Sequence, residues 1–312
     1  AYLAEPATIE ELGNYRGQRL FLLEVHPVAY NPVAQTIAFR PRIEVDIKFA
    51  GGSAGFVASS RHPAGSDRLI LNPGITSLST LGAPNYLIVT HADFADPIAA
   101  FAAHKTARGF NVTTWVTPEG STPDSIKSYI ESLWGTPNAP DYVLLVGDTE
   151  KIGHFTGDEN SKSNSVHTVP VPTDLPYSCM DGEDDWFPDV ALGRFPVDTT
   201  EQLAAVLGKT EYYDNGVFAD PGYLRRAVFM ASEDQATLTE ATHNSVIDNY
   251  MTPNGIDSLR LYCDTDSAVP DQVEAAFNEG RFWGIFSGHG SDLYWDDACG
   301  NEDDILFNQT NV

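Results

Sequence analysis

From residue 86 onward the chain alternates short apolar runs with segments of helical period, which confines it to a layered α/β fold. Tyr86-Leu87-Ile88-Val89-Thr90, Val112-Thr113-Thr114-Trp115-Val116 and Tyr142-Val143-Leu144-Leu145-Val146 read as strands. Between them Phe94, Ile98, Phe101 and Lys105 keep helical spacing ahead of a stop at Gly109, and Thr122-Pro123-Asp124 opens a helix carrying Ile126, Ile130 and Leu133. Uninterrupted apolar runs suit strands buried on both faces, joined by right-handed crossovers into a parallel sheet. After a polar loop at 148–192 the alternation resumes: a helix over 201–214, a strand at 227–230, a helix over 238–250, a strand at 258–262, a helix over 270–278 and an apolar strand at 282–287.

The first eighty residues obey different rules. Residues 20–25 are strand-like, and residues 41–49 alternate apolar and polar side chains as a half-buried strand does. Tyr30-Asn31-Pro32 marks a turn, Gly51-Gly52 ends the second run, and no long helical pattern precedes residue 93. The expected organisation is a small β-sandwich-like domain over 1–80, an α/β subdomain over 81–198 and a second α/β subdomain over 199–312.

The last apolar run stops at Gly288-His289-Gly290-Ser291. Ligands of open α/β sheets gather at the carboxyl ends of the strands, so His289 stands where chemistry is usually done. Imidazole titrates near neutrality and serves as a general acid/base, and flanking glycines allow a sharp turn and close approach of a substrate chain. A nucleophile for it is hard to find. Cys299 lies only ten positions on, too near for a crossover to return to a neighbouring strand end. Cys179 and Cys263 precede the histidine; Cys263, closing a strand-like run, is the stronger in-chain rival, although a buried strand-end thiol usually serves as a small hydrophobe. Three cysteines without a CxxC pair exclude a disulfide framework and a zinc site of the usual spacing, while one disulfide remains open.

With 18 Lys+Arg against 44 Asp+Glu, the net charge of −26 repels nucleic acid and anionic membranes. No stretch has the length and apolarity of a membrane span. Asp181, Glu183, Asp184, Asp185 and Asp189 crowd one loop, and a hard cation such as Ca²⁺ collects carboxylate and carbonyl oxygens from such a loop, although the spacing is not that of an EF-hand. Asp181, Glu183, Asp185 and Asp189 are the candidate ligands of a structural calcium, set against a simply solvated acidic loop.

Thr173-Asp174-Leu175-Pro176-Tyr177, the acidic stretch 181–189, Gly193-Arg194 and Gly288-His289-Gly290-Ser291 together resemble the gingipain family of caspase-like cysteine peptidases over most of 85–312. The opening, with Tyr15-Arg16-Gly17-Gln18-Arg19, Pro27 and Tyr30-Asn31-Pro32, resembles the β-rich propeptide ahead of that catalytic domain. The resemblance implies a caspase-like, doubly wound, mostly parallel sheet in two subdomains and a secreted or cell-surface endopeptidase acting on proteins or peptides, with no cofactor needed for catalysis. It also implies that His289 is the general acid/base of a Cys–His pair and that Gly290 supplies an oxyanion-hole N–H. The family's cysteine follows the next core strand, so the nucleophile is expected C-terminal to Val312, on a processed partner fragment or a longer chain. Residues 303–306, which read as a helix opening toward that strand, agree with this. Two other readings remain: a non-catalytic, calcium-binding surface or adhesion module with a pseudo-peptidase fold, and a peptidase-fold transpeptidase that trims sorting signals.

Overall fold

The structure, a computed structural model, describes residues 5–15, 18–48, 82–157, 172–182, 185–290, 294–295 and 307–308. The chain divides into two compact units, Ala1–Asp214 and Asn215–Val312.

The first unit opens with two antiparallel hairpins. β1 (Ala7–Tyr15) pairs with β2 (Gln18–Val25), and β3 (Val28–Asn31) with β4 (Thr36–Phe39). They form separate two-stranded sheets, and no sandwich pairing joins them among the described residues. The strand expected over 41–49 does not form across its described part, 41–48. Val45 and Ile47 stay exposed there, and alternation makes a strand only where a neighbouring strand completes the ladder.

The parallel sheet that follows has the order β10-β7-β5-β6, from β5 (Asn85–Thr90), β6 (Asn111–Val116), β7 (Tyr142–Val146) and β10 (Ala191–Phe195). A short pair, β8 (Phe155–Thr156) with β9 (Pro172–Thr173), lies between β7 and β10 in the chain. Alternate residues of β5 and β7 enter opposite cores. Leu87, Val89, Val143 and Leu145 pack with Ile126 and Ile130 of α2 (Pro123–Leu133). Ile88, Leu144 and Val146 pack with Phe101 of α1 (Ala99–Ala107) and with Leu203 and Leu207 of α3 (Thr200–Asn215). α2 starts at the Thr122-Pro123-Asp124 opening expected of it, and Thr122 and Ser125 close a capping box in which the Thr122 side chain accepts from the Ser125 N–H. The packing of α3 moves the boundary from the expected 198/199 to Asp214/Asn215, because a helix belongs to the sheet that buries its apolar stripe.

The second unit is a three-stranded parallel sheet of order β12-β11-β13, from β11 (Arg226–Ala231), β12 (Asp257–Tyr262) and β13 (Trp283–Ser287). One core joins Ala227, Phe229 and Tyr262 to Ile247, where α4 (Ala236–Val246) runs on into a π-turn. The opposite core joins Val228, Met230 and Leu261 to Val273 and Ala276 of α6 (Pro270–Glu279). A single turn, α5 (Cys263–Asp266), follows β12, and β14 (Tyr294–Trp295) pairs with β15 (Phe307–Asn308). Residues 303–306, expected to open a helix, lie outside the described residues.

Candidate active site

β11 and β13 are parallel neighbours in register, Ala231 beside Ser287, so the segments that leave them emerge side by side. From β11 the chain runs through Ser232 and Glu233 to Asp234; from β13 it runs through Gly288 to His289. The two ends meet: His289 Nε2 lies 3.0 Å from Asp234 Oδ2. Both side chains keep more than half their surface open to solvent, as groups that receive a substrate must.

Each end is shaped by backbone geometry. A Cβ on Gly288 would fall 2.4 Å from Phe286 Cζ and 3.0 Å from Ser232 Cβ, so a larger residue there would have to displace the Phe286 ring. The Phe286 ring is in turn stacked on Trp295, with centroids 5.0 Å apart, and Gly290 forms an isolated antiparallel bridge with Trp295. On the other side Gln235 sits in the left-handed region, φ 52°, a conformation that costs a non-glycine residue about 1–2 kcal/mol. It turns the chain from the strand end into α4 and leaves Asp234 at the corner facing His289. Strain of this kind tends to persist where it serves a site.

Asp234 does not figure in the sequence reading. Its only local sign is the polar triplet Ser232-Glu233-Asp234 after an apolar strand, a pattern common to strand ends. A carboxylate accepting the Nε2–H of His289 fixes the tautomer and leaves Nδ1 bare, able to take a proton from a thiol and return it to a leaving amine.

Two of the three cysteines fall among the described residues. Cys263 is disulfide-bonded, which removes it as a nucleophile. Cys179 is free but 1% exposed, and burial pushes its thiol up from the ordinary value, away from the thiolate that attacks carbonyls. Cys299 lies outside the described residues.

In the acidic loop, Asp181, Asp185 and Asp189 each bring a carboxylate oxygen within 4.8 Å of the others. Glu183 and Asp184 lie outside the described residues. Asp189 is fully buried and accepts the Met180 N–H at 2.7 Å, while Asp185 accepts from the Phe187 N–H at 3.0 Å. Three converging carboxylates, one of them buried, suit a hard divalent cation. A second carboxylate group, Asp148, Glu150 and Asp198, is mostly exposed.

The neighbouring motif residues hold the loops of the first unit. Arg194 makes a two-pronged ion pair with Asp174, Nε to Oδ2 and Nη2 to Oδ1, both 2.7 Å. Its Nη1 also donates to the carbonyls of Gly147 at 2.8 Å and Ile152 at 2.7 Å. One guanidinium therefore ties together the segments that follow β7 and β9.

The sequence model of Peptidase family C25 matches residues 79–312. The chain belongs to this family. Lys-gingipain of Porphyromonas gingivalis is 26% identical over 94% of the chain, and gingipain R1 of the same organism is 24% identical over 93%. The chain spans only 17% of the length of that Lys-gingipain and 30% of that gingipain R1. Among solved structures, the Arg-specific cysteine proteinase gingipain R (RgpB) superposes with a TM-score of 0.58 at 21% identity, covering 72% of this chain and 51% of its own. The complex of RgpB pro- and mature domains gives 0.57 at 22% identity, covering 69% and 50%. The fold is thus the caspase-like α/β fold of the gingipains. No helix among the described residues is long and apolar enough to cross a membrane.

Proposed function

We propose that this chain is the histidine-bearing part of a secreted or cell-surface cysteine endopeptidase, with His289 as general acid/base and Asp234 as the group that orients it. The observation that carries this reading is the 3.0 Å contact between the two at the carboxyl ends of adjacent parallel strands. In the reaction His289 Nδ1 accepts the thiol proton, and the thiolate attacks the scissile carbonyl. The imidazolium then protonates the amine as the carbon–nitrogen bond breaks, and water releases the acyl group from sulfur in the second half-reaction. The Gly290 N–H is the proposed donor to the oxyanion, since it follows the histidine directly.

The nucleophile is proposed to lie outside these 312 residues, on a partner fragment or a continuation of the chain. Supporting this, Cys263 is occupied by its disulfide, Cys179 is buried as a thiol, and β13 pairs on one side only among the described residues, with β11, leaving an edge for a further strand. Treating the active complete protein with a substrate-like, thiol-directed inhibitor and mapping the peptides is expected to place the label beyond residue 312. Labelling of Cys179, Cys263 or Cys299 in step with inactivation would refute it.

A structural Ca²⁺ held by Asp181, Asp185 and Asp189, with Glu183 a further candidate, is proposed on the convergence of their carboxylates. The ion would neutralise three close negative charges and stiffen the loop, with no part in bond cleavage. A native-state ligand at a hundred times its dissociation constant adds about 2.7 kcal/mol of stability. The melting temperature is therefore expected to fall with a chelator and rise again with calcium, and Asp189→Asn to weaken that response. A melting curve indifferent to both additions contradicts the assignment.

A further inference from the structure

His289 stands between two glycines, and neither can anchor it through a side chain. The last side chain that can do so before it is Ser287. The Ser287 carbonyl is held by the Ser232 N–H at 2.9 Å, and its Oγ lies 2.9 Å from Nε2 of His243 on α4. His243 is 4% exposed, set edge-on to Phe229 with centroids 5.3 Å apart and tilted against Tyr262 at 5.8 Å. Its Nδ1 is buried with no hydrogen-bond partner among the described residues. A residue that filled this space without polar atoms would avoid that orphan. Among the described residues the one polar contact the ring makes is the one to Ser287.

The segment around α4 therefore meets the end of β13 twice: Asp234, ahead of the helix, on His289, and His243, within it, on Ser287. We propose that His243 is a positioning residue for His289, fixing Ser287 and through it the glycine turn that presents the imidazole to Asp234. This deepens the peptidase reading and rests on it for its kinetic consequence, although the geometry it predicts does not depend on activity.

Burial holds the His243 imidazole below its ordinary pKa, with the Glu240 carboxylate opposing the shift. Glu240 is itself engaged by the N–H and hydroxyl of Thr265, and Tyr262 is the other titratable group against the ring, its phenol pushed up to about 12 by burial. The neutral ring has one N–H. Placed on Nε2 it donates to Ser287 Oγ and leaves only an acceptor unpaired at Nδ1, so the contact has a defined direction.

The deciding variant is His243→Leu with Ser287→Ala, because removing both partners of a buried hydrogen bond is close to neutral for stability whereas removing one is not. In the complete protein this double variant is expected to keep its melting temperature within a few degrees. Its kcat should fall about tenfold with little change in KM, as small misplacements of a reacting group do. His243→Gln, whose amide can donate from about the same point, should restore most of the loss. The second readout is the ring ¹⁵N resonance of His289, read through its non-exchanging carbon-bound protons because the ring is open to solvent, expected to report a single tautomer bonded to Asp234 in the wild type and to shift in the double variant. A folded double variant with wild-type kcat and an unchanged His289 resonance overturns the proposal. If the wild-type protein hydrolyses nothing, the resonance alone decides, which separates failure of this inference from failure of the peptidase reading. If the double variant does not fold, Ser287→Ala alone is read the same way, and an unchanged resonance again overturns the proposal.

Discussion

Replacing His289 with alanine in the complete protein is expected to lower peptide-bond cleavage by about two to four orders of magnitude, the usual worth of a positioned general acid/base. The fold should survive, because the His289 side chain is mostly exposed and its one polar contact among the described residues is with Asp234. Asp234→Asn is expected to fall between wild type and His289→Ala. The amide keeps the shape of the carboxylate, but its NH₂ can donate to Nε2 and so favours the tautomer with the proton on Nδ1, where a base is required. Steady-state kinetics beside circular dichroism checks both. A folded His289→Ala protein with near-normal turnover would remove the Cys–His reading and return weight to a binding module built on a peptidase fold.

The second large effect is structural. Arg194→Ala is expected to destabilise the protein by about 3–5 kcal/mol, the cost of removing one partner of a largely buried ion pair. Arg194 is buried down to 11% of its side-chain surface, and its loss would strip Asp174 of both donors and the Gly147 and Ile152 carbonyls of one each. Arg194→Lys should recover little, since one ammonium cannot reproduce the two-pronged geometry and still reach the carbonyls. Denaturant midpoints at constant m-value give the number. A loss below about 1 kcal/mol, the worth of an exposed pair, would show that the guanidinium is not the tie described.

These two sites differ in how far they could be read from the chain alone. Strands β5, β7 and β11 stand out because burial on both faces leaves an unbroken apolar run, and β13 carries a similar run although Trp283 stays exposed and Ile285 and Phe286 are only half-buried. His289 stands out because glycines isolate it at the end of such a run, and a side chain at Gly288 would press on the Phe286 ring. Asp174 and Arg194 drew notice as parts of a motif, yet nothing in the chain says they pair with each other. Asp234 is 55 positions from its histidine, and only the register of β11 with β13 brings them together. The left-handed turn at Gln235 has no local signature, since glutamine is an ordinary helix residue. Residues 41–48 mislead in the opposite direction, because they have a strand's alternation without a described neighbour to pair with. Whether α3 belongs to the first or second unit is likewise settled by which sheet covers Leu203 and Leu207, a question of packing that periodicity cannot answer.

The parallel arrangement of β11 and β13 also has a consequence in time. A chain emerging from the ribosome presents β11 and Asp234 first, then α4, β12 and α6, and only afterwards β13 and His289. Parallel strands cannot close through a local hairpin, so the 55-residue span between the two groups must be ordered, crossover helices included, before the contact exists. Until β13 docks on β11, the carboxylate and the imidazole are independent solvated side chains. Their meeting is therefore a non-local event, and the contact between them exists only in molecules in which β13 has docked on β11.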